Sequence, residues 1–302
     1  MKYAVAIDIG GTNTRVALID ETYRIISRVQ FPTDADNPEA VLNRIAETIE
    51  QTDVEIQGIG MSCPGPLDIP HQKVLNPPNL HGLWHGLAIT EPLQKRFNVP
   101  VYLENDANLA ALAEAVIGEG KEYSVVQYIT VSTGIGAGLV INRNIFDGAH
   151  GFANEVANTC MINNGPQHGD LIPGGIEAIC SGTAIEKRAR VKGMSPRHAG
   201  DVNDLAKAGN KDAQEIMNDA VTYLANYIAG VQAYIDPEII ILGGSVAIKI
   251  EGFVEQVKQQ VLNKVYPCVR PYVNIRTTTL NEDSGLLGAA CLVFEKGEHT
   301  CQ

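Results

Sequence analysis

Short apolar runs with the two-residue period of strands alternate along the chain with stretches of helical spacing. Tyr3–Asp8 is apolar and β-branched, a Gly-Gly turn follows, and Arg15–Ile19 resumes the strand pattern. Ile25–Phe31 predicts a third strand, and residues 39–50 place Val41, Leu42, Ile45 and Ile49 at helical spacing. Ile56–Met61 predicts a buried strand ending in Ser62-Cys63-Pro64-Gly65-Pro66. Residues 68–90, rich in Pro, Asn, His and Gly, predict a loop. Val101–Glu104 predicts a short strand, and Asn105–Ile117 an Ala/Leu helix that stops at Gly118.

The pattern then restarts. Val125–Val131 predicts a strand, Ser132-Thr133-Gly134-Ile135-Gly136 a turn, and Ala137–Ile141 a returning strand. AIDIGGTNTRVALID and YITVSTGIGAGLVIN align without a gap, in pattern rather than in letters. Two such hairpins, each opening half of the chain, predict two related lobes facing one cleft. The division falls at 1–117 and 118–284, with the C-terminal helix, 285–302, as a candidate to rejoin the first lobe. Residues 203–235 predict one long helix or two shorter ones, Glu238–Leu242 a buried strand leading into Gly243-Gly244, Val273–Thr277 the last strand and Gly285–Glu295 the last helix.

Composition changes this picture little. The chain has 302 residues, 45% hydrophobic and 19% charged, enough for one large domain or two lobes with real cores. A net charge of −12 argues against a nucleic-acid surface, which needs clustered Lys and Arg. It leaves nucleotide binding open, because a few backbone N–H groups hold a triphosphate without a basic patch. No apolar run is long enough to span a bilayer and the N-terminus is not a signal peptide, so the expected compartment is the cytoplasm. The six cysteines are scattered without a CxxC pair and are expected to be mostly free, buried thiols.

Five segments carry candidate chemistry. In Gly10-Gly11-Thr12-Asn13-Thr14 the glycines let backbone N–H groups approach an anion, and Asp8 is placed to hold a water of a Mg²⁺ ion. Taken alone, this turn is better explained as a plain hairpin. Ser132-Thr133-Gly134-Ile135-Gly136 repeats the chemistry at the matching place in the second half, and the pair looks like a phosphate clamp, although GxxxxGKS/T is absent. In Glu104-Asn105-Asp106-Ala107-Asn108, Asn105 is a natural N-cap with Asp106 in the first helical turn. A good cap with an acid at the positive end of the dipole accounts for this segment as well as a general base that accepts a sugar hydroxyl proton. Glu155 and Glu177 suit bidentate contacts to vicinal hydroxyls, although singly each reads as a solvated loop charge. Leu242-Gly243-Gly244-Ser245 is an ordinary Gly turn or a surface for adenine or ribose.

Together these segments resemble the ROK family (repressor, open reading frame, kinase), from Asp8 to about Gly288. AIDIGGTNTRVAL is similar to its first phosphate motif, which implies nucleotide contacts at Asp8, Gly10, Gly11, Thr12 and Asn13. SCPGPLD and NPPNLHGLW look like its sugar-side loops, with Gly65 and Asn79 as the residues carried over. ENDAN carries the family's catalytic Asp, here Asp106 beside Asn105. VSTGIGAGLVINRNIFDGAHGFANE resembles the second phosphate motif, with Thr133 and Gly134, and runs into the sugar-binding Glu155. IEAICSGTAI resembles the segment holding a further sugar-contacting acid, Glu177, and DPEIIILGGSV the adenosine-side turn at Gly243 and Gly244. The resemblance implies the two-lobed, ribonuclease H-like fold of the actin-like ATPases, closing over ATP, Mg²⁺ and sugar, and a homodimer.

The departures bear on substrate. The family usually has His three residues after Glu155, where it ligates zinc and meets the anomeric hydroxyl; here that sugar-side position is Asn158. The usual cysteine cluster is reduced to Cys160, with no thiol again until Cys180, a spacing that fits no structural zinc site, so zinc is expected to be absent. A site without the anomeric contact leaves room for an aglycone, as in the β-glucoside kinases that phosphorylate cellobiose at the 6-hydroxyl. Trp84 is then a candidate platform for a second sugar ring, or equally a core-capping Trp. The rival expectations are a kinase of a free hexose (glucose, fructose or N-acetylmannosamine) and a non-catalytic sugar-sensing regulator. Only seven residues precede Asp8, too few for the helix-turn-helix of the family's repressors.

Overall fold

The computed structural model describes residues 1–75, 77, 80–280 and 283–299. The chain divides into two compact units. Unit 1 holds Met1–Lys121, Arg143–Ala153 and the described part of Glu282–Gln302; unit 2 holds Glu122–Asn142 and Asn154–Asn281. The segment Arg143–Ala153 thus belongs to the first unit, a correction to the sequence division at 117/118. The reason is packing. Asn144, Ile145 and Asp147 line a small cavity of about 170 Å³ with Leu112, Leu292 and Lys296, and Arg143 pairs with Glu295.

Unit 1 is built on a five-stranded sheet of β1 (Tyr3–Ile9), β2 (Asn13–Asp20), β3 (Ile25–Pro32), β4 (Ile59–Cys63) and β7 (Val101–Asn105), in the order β3-β2-β1-β4-β7. The first three strands are antiparallel, while β1, β4 and β7 run parallel. A small hairpin, β5 (Leu67–Asp68) and β6 (Lys73–Val74), interrupts the expected loop. Helix α1 (Pro38–Glu50) turns Val41, Leu42, Ile45 and Ile49 inward as its spacing predicts. Helix α2 (Thr90–Phe97) went unread because only Thr90 and Leu93 of its eight residues are buried, too short an apolar stripe to detect. Helix α3 (Asp106–Val116) is buried along nearly its whole length. It packs against α10 (Ser284–His299) at backbone contact, since a Cβ at Gly288 would stand 1.9 Å from Leu109 O. Gly60 on β4 makes the same allowance for Ala289, 2.1 Å from its hypothetical Cβ. Two glycines therefore set how closely the C-terminal helix approaches α3 and the sheet.

Unit 2 repeats the plan with β8 (Val125–Val131), β9 (Ile135–Ile141), β11 (Ile239–Gly243) and β12 (Ile275–Thr277), in the order β9-β8-β11-β12, while the two-residue strand β10 (Asn144–Ile145) lies in the segment that belongs to unit 1. The helices around it are α4 (Ile176–Cys180), α5 (Gly182–Val191), α6 (Ala199–Lys207), α7 (Lys211–Tyr234), α8 (Gly244–Lys249) and α9 (Phe253–Lys264). The 203–235 region resolves into two helices, divided at Gly209 (φ +94°) and Asn210, whose side chain caps α7. The gapless alignment of the two hairpins needs one correction. Ile9 pairs with Thr14 across four turn residues, whereas Val131 pairs with Ile135 across three. The outgoing strands match as aligned, but the returning strands are offset by one. A strand's faces alternate with period two, so an uncorrected offset would turn its core face outward. Among the described residues no helix is long and apolar enough to cross a membrane.

Candidate active site

In unit 1 the chemistry gathers at the C-terminal ends of β1, β4 and β7, the edge where open parallel sheets bind ligands. Asp8 pairs in register with Ser62, and Cys63 with Asn105, so Asp8, the Ser62-Cys63 corner and Asn105-Asp106 stand on three adjacent strands. Cys63 is fully buried, and its thiol is pushed up first by burial and then by the Asp106 and Asp8 carboxylates, which places both acids within electrostatic reach of it. Asp8 is held by Arg15 on the neighbouring strand, whose Nε and Nη2 donate to Oδ2 at 3.0 and 2.5 Å. Asp8 Oδ1 lies on the side of Gly285, where an added Cβ would be 3.9 Å away.

The first glycine turn uses part of its backbone on itself. Gly10 N–H donates to Asn13 O at 2.9 Å, so that donor closes the hairpin, a correction to Gly10 as an anion donor. Thr12 and Asn13 stand exposed at the tip. At the β7–α3 corner, Asn105 Oδ1 accepts Ala107 N–H at 2.8 Å, the N-cap the sequence predicts. Asp106 is exposed in the first turn, where the helix dipole favours its ionised form. Behind it Glu104 is 3% exposed, and its Oε1 accepts Asn105 N–H at 2.8 Å and Asn108 Nδ2–H at 3.0 Å. Burial outweighs these bonds and pushes the Glu104 carboxyl up to about 7. Gly65 follows β4 in the same unit, while Asn79 lies outside the described residues.

In unit 2 the second turn is anchored from three directions. Ser132 N–H donates to Gly134 O at 2.9 Å, Gly182 N–H donates to Ser132 O at 2.7 Å, and Ile135 N–H donates to Glu177 Oε2 at 2.8 Å. Thr133 is left exposed at the tip. A cavity of about 720 Å³ opens beside it, lined by Ser132, Thr133, Gly182, Thr183, Ser245 and Lys249 among others. Its size suits a nucleotide. The N-terminus of α5 opens into it at Gly182 and Thr183, bringing a positive dipole end, while the Gly182 N–H is taken by Ser132 O and the Ala184 N–H by Ser181 Oγ. Gly243 and Gly244 serve packing at the cavity's edge. A Cβ at Gly243 would meet Tyr128 Oη at 2.2 Å, and one at Gly244 (φ +85°) would meet Val131 O at 2.5 Å. The lining is contributed by the residues that follow, Ser245, Val246 and Lys249.

Glu155 lies in a surface loop of the same unit, and the atoms crowding it raise its carboxyl by desolvation. Asn158 Oδ1 accepts Ile172 N–H at 2.8 Å, stapling the loop that runs from 158 to 175. Cys160 is exposed and Cys180 buried; of the five described cysteines Cys63, Cys180 and Cys291 are buried and all are free. Among the described residues no three His, Cys, Asp or Glu side chains are grouped as metal ligands. Trp84 is fully buried in the unit 1 core with Nε1–H donating to Asp34 O at 3.2 Å, which removes it as a sugar platform. An indole nitrogen with a backbone partner is how a core accepts a Trp.

Residues 4–296 match the profile of the ROK family. The chain belongs to the ROK family. It is 32% identical to the glucokinase of Thermotoga maritima, over 97% of both chains. It is also 32% identical to an N-acetylmannosamine kinase of Salmonella heidelberg, over 95% of this chain and 97% of the relative. The crystal structure of a ROK hexokinase from Thermus thermophilus superposes with a TM-score of 0.88 at 30% identity, covering 98% of this chain and 99% of that one. The protein is a sugar kinase of this family with the α/β actin-like ATPase fold.

Within this ROK kinase, three parts of the site escaped the sequence. Gly182 and Thr183 sit after a serine cap, Ser181, whose Oγ accepts Ala184 N–H at 3.1 Å. That cap was readable, but its placement beside Ser132 was not. Glu104 gave no signal beyond one acid in a short strand. The bond from Ile135 to Glu177 joins residues far apart in the chain and leaves no local trace.

Proposed function

We propose that the protein transfers the γ-phosphoryl group of ATP to the 6-hydroxyl of a free hexose of the glucose or N-acetylmannosamine type. Asp106 is the general base: exposed and kept ionised at the N-terminus of α3, it accepts the hydroxyl proton and orients the attacking oxygen. Thr133 and Gly134, with the N-terminus of α5, would hold phosphates, and Ser245, Val246 and Lys249 would flank the nucleoside. Thr12 and Asn13 would meet phosphates from the first turn, and Asp8 would hold Mg²⁺ through water. Gly65, Asn79, Asn105, Glu155, Asn158 and Glu177 would line the sugar. The observation that carries the reading is the cavity beside the second glycine turn, with a helix N-terminus opening into it. The hexose is supported by the glucokinase and N-acetylmannosamine kinase relatives and by the burial of Trp84. The proposal includes a cytoplasmic homodimer without bound zinc; metal analysis giving one zinc per chain would overturn the last point.

A second reading, a β-glucoside kinase acting on cellobiose, is favoured by Asn158, which stands at the anomeric-contact position and has its Oδ1 engaged by Ile172 N–H. Comparison of kcat/KM on glucose, N-acetylmannosamine and cellobiose separates the two. The free hexoses are expected to lead. A clear preference for cellobiose would install the β-glucoside reading.

A further inference from the structure

The carboxylate of Glu177 faces the second glycine turn. Its Oε2 accepts Ile135 N–H at 2.8 Å, and Ile135 directly follows Gly134 at the start of β9. A Cβ at Gly134 would lie 2.6 Å from the same oxygen and 3.2 Å from Glu177 Cδ, so the carboxylate fills the space a side chain at 134 would take. The backbone that carries Glu177 is tied to the Glu155–Asn158 segment. Glu177 N–H donates to Ala157 O at 3.3 Å, Ile176 N–H to Thr159 O at 2.9 Å, and Met161 N–H to Gly174 O at 2.8 Å. A continuous hydrogen-bonded path thus joins the segment bearing Glu155 to the turn bearing Thr133 and Gly134.

We infer that Glu177 is a positioning residue for the nucleotide: it braces the Thr133–Ile135 turn in the shape that receives phosphates, and so ties nucleotide affinity to the sugar-side loop. This rests on the reading of that turn as a phosphate turn. A carboxylate is the better brace because its bond to an N–H is charge-assisted, and loss of such a bond weakens what it organises by about tenfold. The absence of a side chain at 134 is part of the same device.

The test is ADP–Mg²⁺ binding to the full chain by calorimetry, without sugar, together with hydrogen exchange at the Ile135 amide. Glu177→Ala is expected to weaken ADP about tenfold and to speed Ile135 exchange. Gly134→Ala, which displaces the intact carboxylate, is expected to do the same, and Glu177→Gln, which keeps an acceptor oxygen, to do less. The double variant Gly134→Ala/Glu177→Ala should be no weaker than Glu177→Ala alone, because both changes break one bond. ADP affinity within about twofold of wild type in both single variants would overturn the inference and leave the kinase reading standing. Gly134→Ala decides the matter should Glu177→Ala fail to fold. Wild-type protein that binds no ADP would overturn the kinase reading itself.

Discussion

Replacing Glu104 by Gln should stabilise the protein increasingly as pH rises. Glu104 is 3% exposed, and burial raises its carboxyl from 4.5 to about 7, with Asp147 adding to the rise and the bonds from Asn108 and Asn105 and the charge of Lys296 opposing it. A folded-state value above the unfolded one means that the native chain holds a proton the unfolded chain has lost. The contribution of Glu104 to stability is therefore fully present below about 4.5 and is lost as pH rises through about 7. At about 1.4 kcal/mol per pH unit, the loss is on the order of 3 kcal/mol by pH 8. Gln is neutral at every pH and keeps an oxygen where Oε1 accepts Asn105 N–H and Asn108 Nδ2–H. Urea denaturation of both proteins at pH 5, 6, 7 and 8 gives the difference directly. The Glu104→Gln advantage should grow by about 2–3 kcal/mol across that range. A difference that stays flat, or that favours the wild type more at high pH, would refute the protonated, buried acid.

Gly288→Ala should lower stability by about 2 kcal/mol or more, because its Cβ meets Leu109 O on a packed helix, which cannot swing aside as a side chain would; an unchanged Tm would contradict the close crossing of α3 and α10. Trp84→Leu should cost about 2–4 kcal/mol of stability and lower kcat/KM for mono- and disaccharides by the same factor. A selective loss on disaccharides would return Trp84 to the sugar site.

Much of the fold was written locally. Each hairpin declared itself through glycines between β-branched runs, and the β7–α3 corner through Asn105, whose cap bond the structure shows. Strand ends slipped where burial decided them. The strand read as Ile56–Met61 runs from Ile59 to Cys63, because its register with β1 and β7 buries Ser62 and Cys63. The one-residue difference between the two glycine turns was invisible, since both letter patterns tolerate either length. Trp84 shows the limit most clearly: among Pro, His and Gly it fits a core-capping Trp as well as a sugar platform, and the packing of α1, α2 and the sheet against one another decides for the core. The candidate site was legible as separate turns and acids. What joins them, Gly182 to Ser132 and Glu177 to Ile135, depends on tertiary contacts between distant segments.

In the proposed reaction Asp106 is the general base. ATP-dependent sugar phosphate formation, measured in parallel for wild type and Asp106→Asn with the sugar Kd of each, checks that role. The variant should bind sugar as tightly as wild type and lose activity by about 10²–10⁴-fold, the usual range for removing a general base. Phosphorylation by Asp106→Asn within about tenfold of wild type would take the base role away from Asp106.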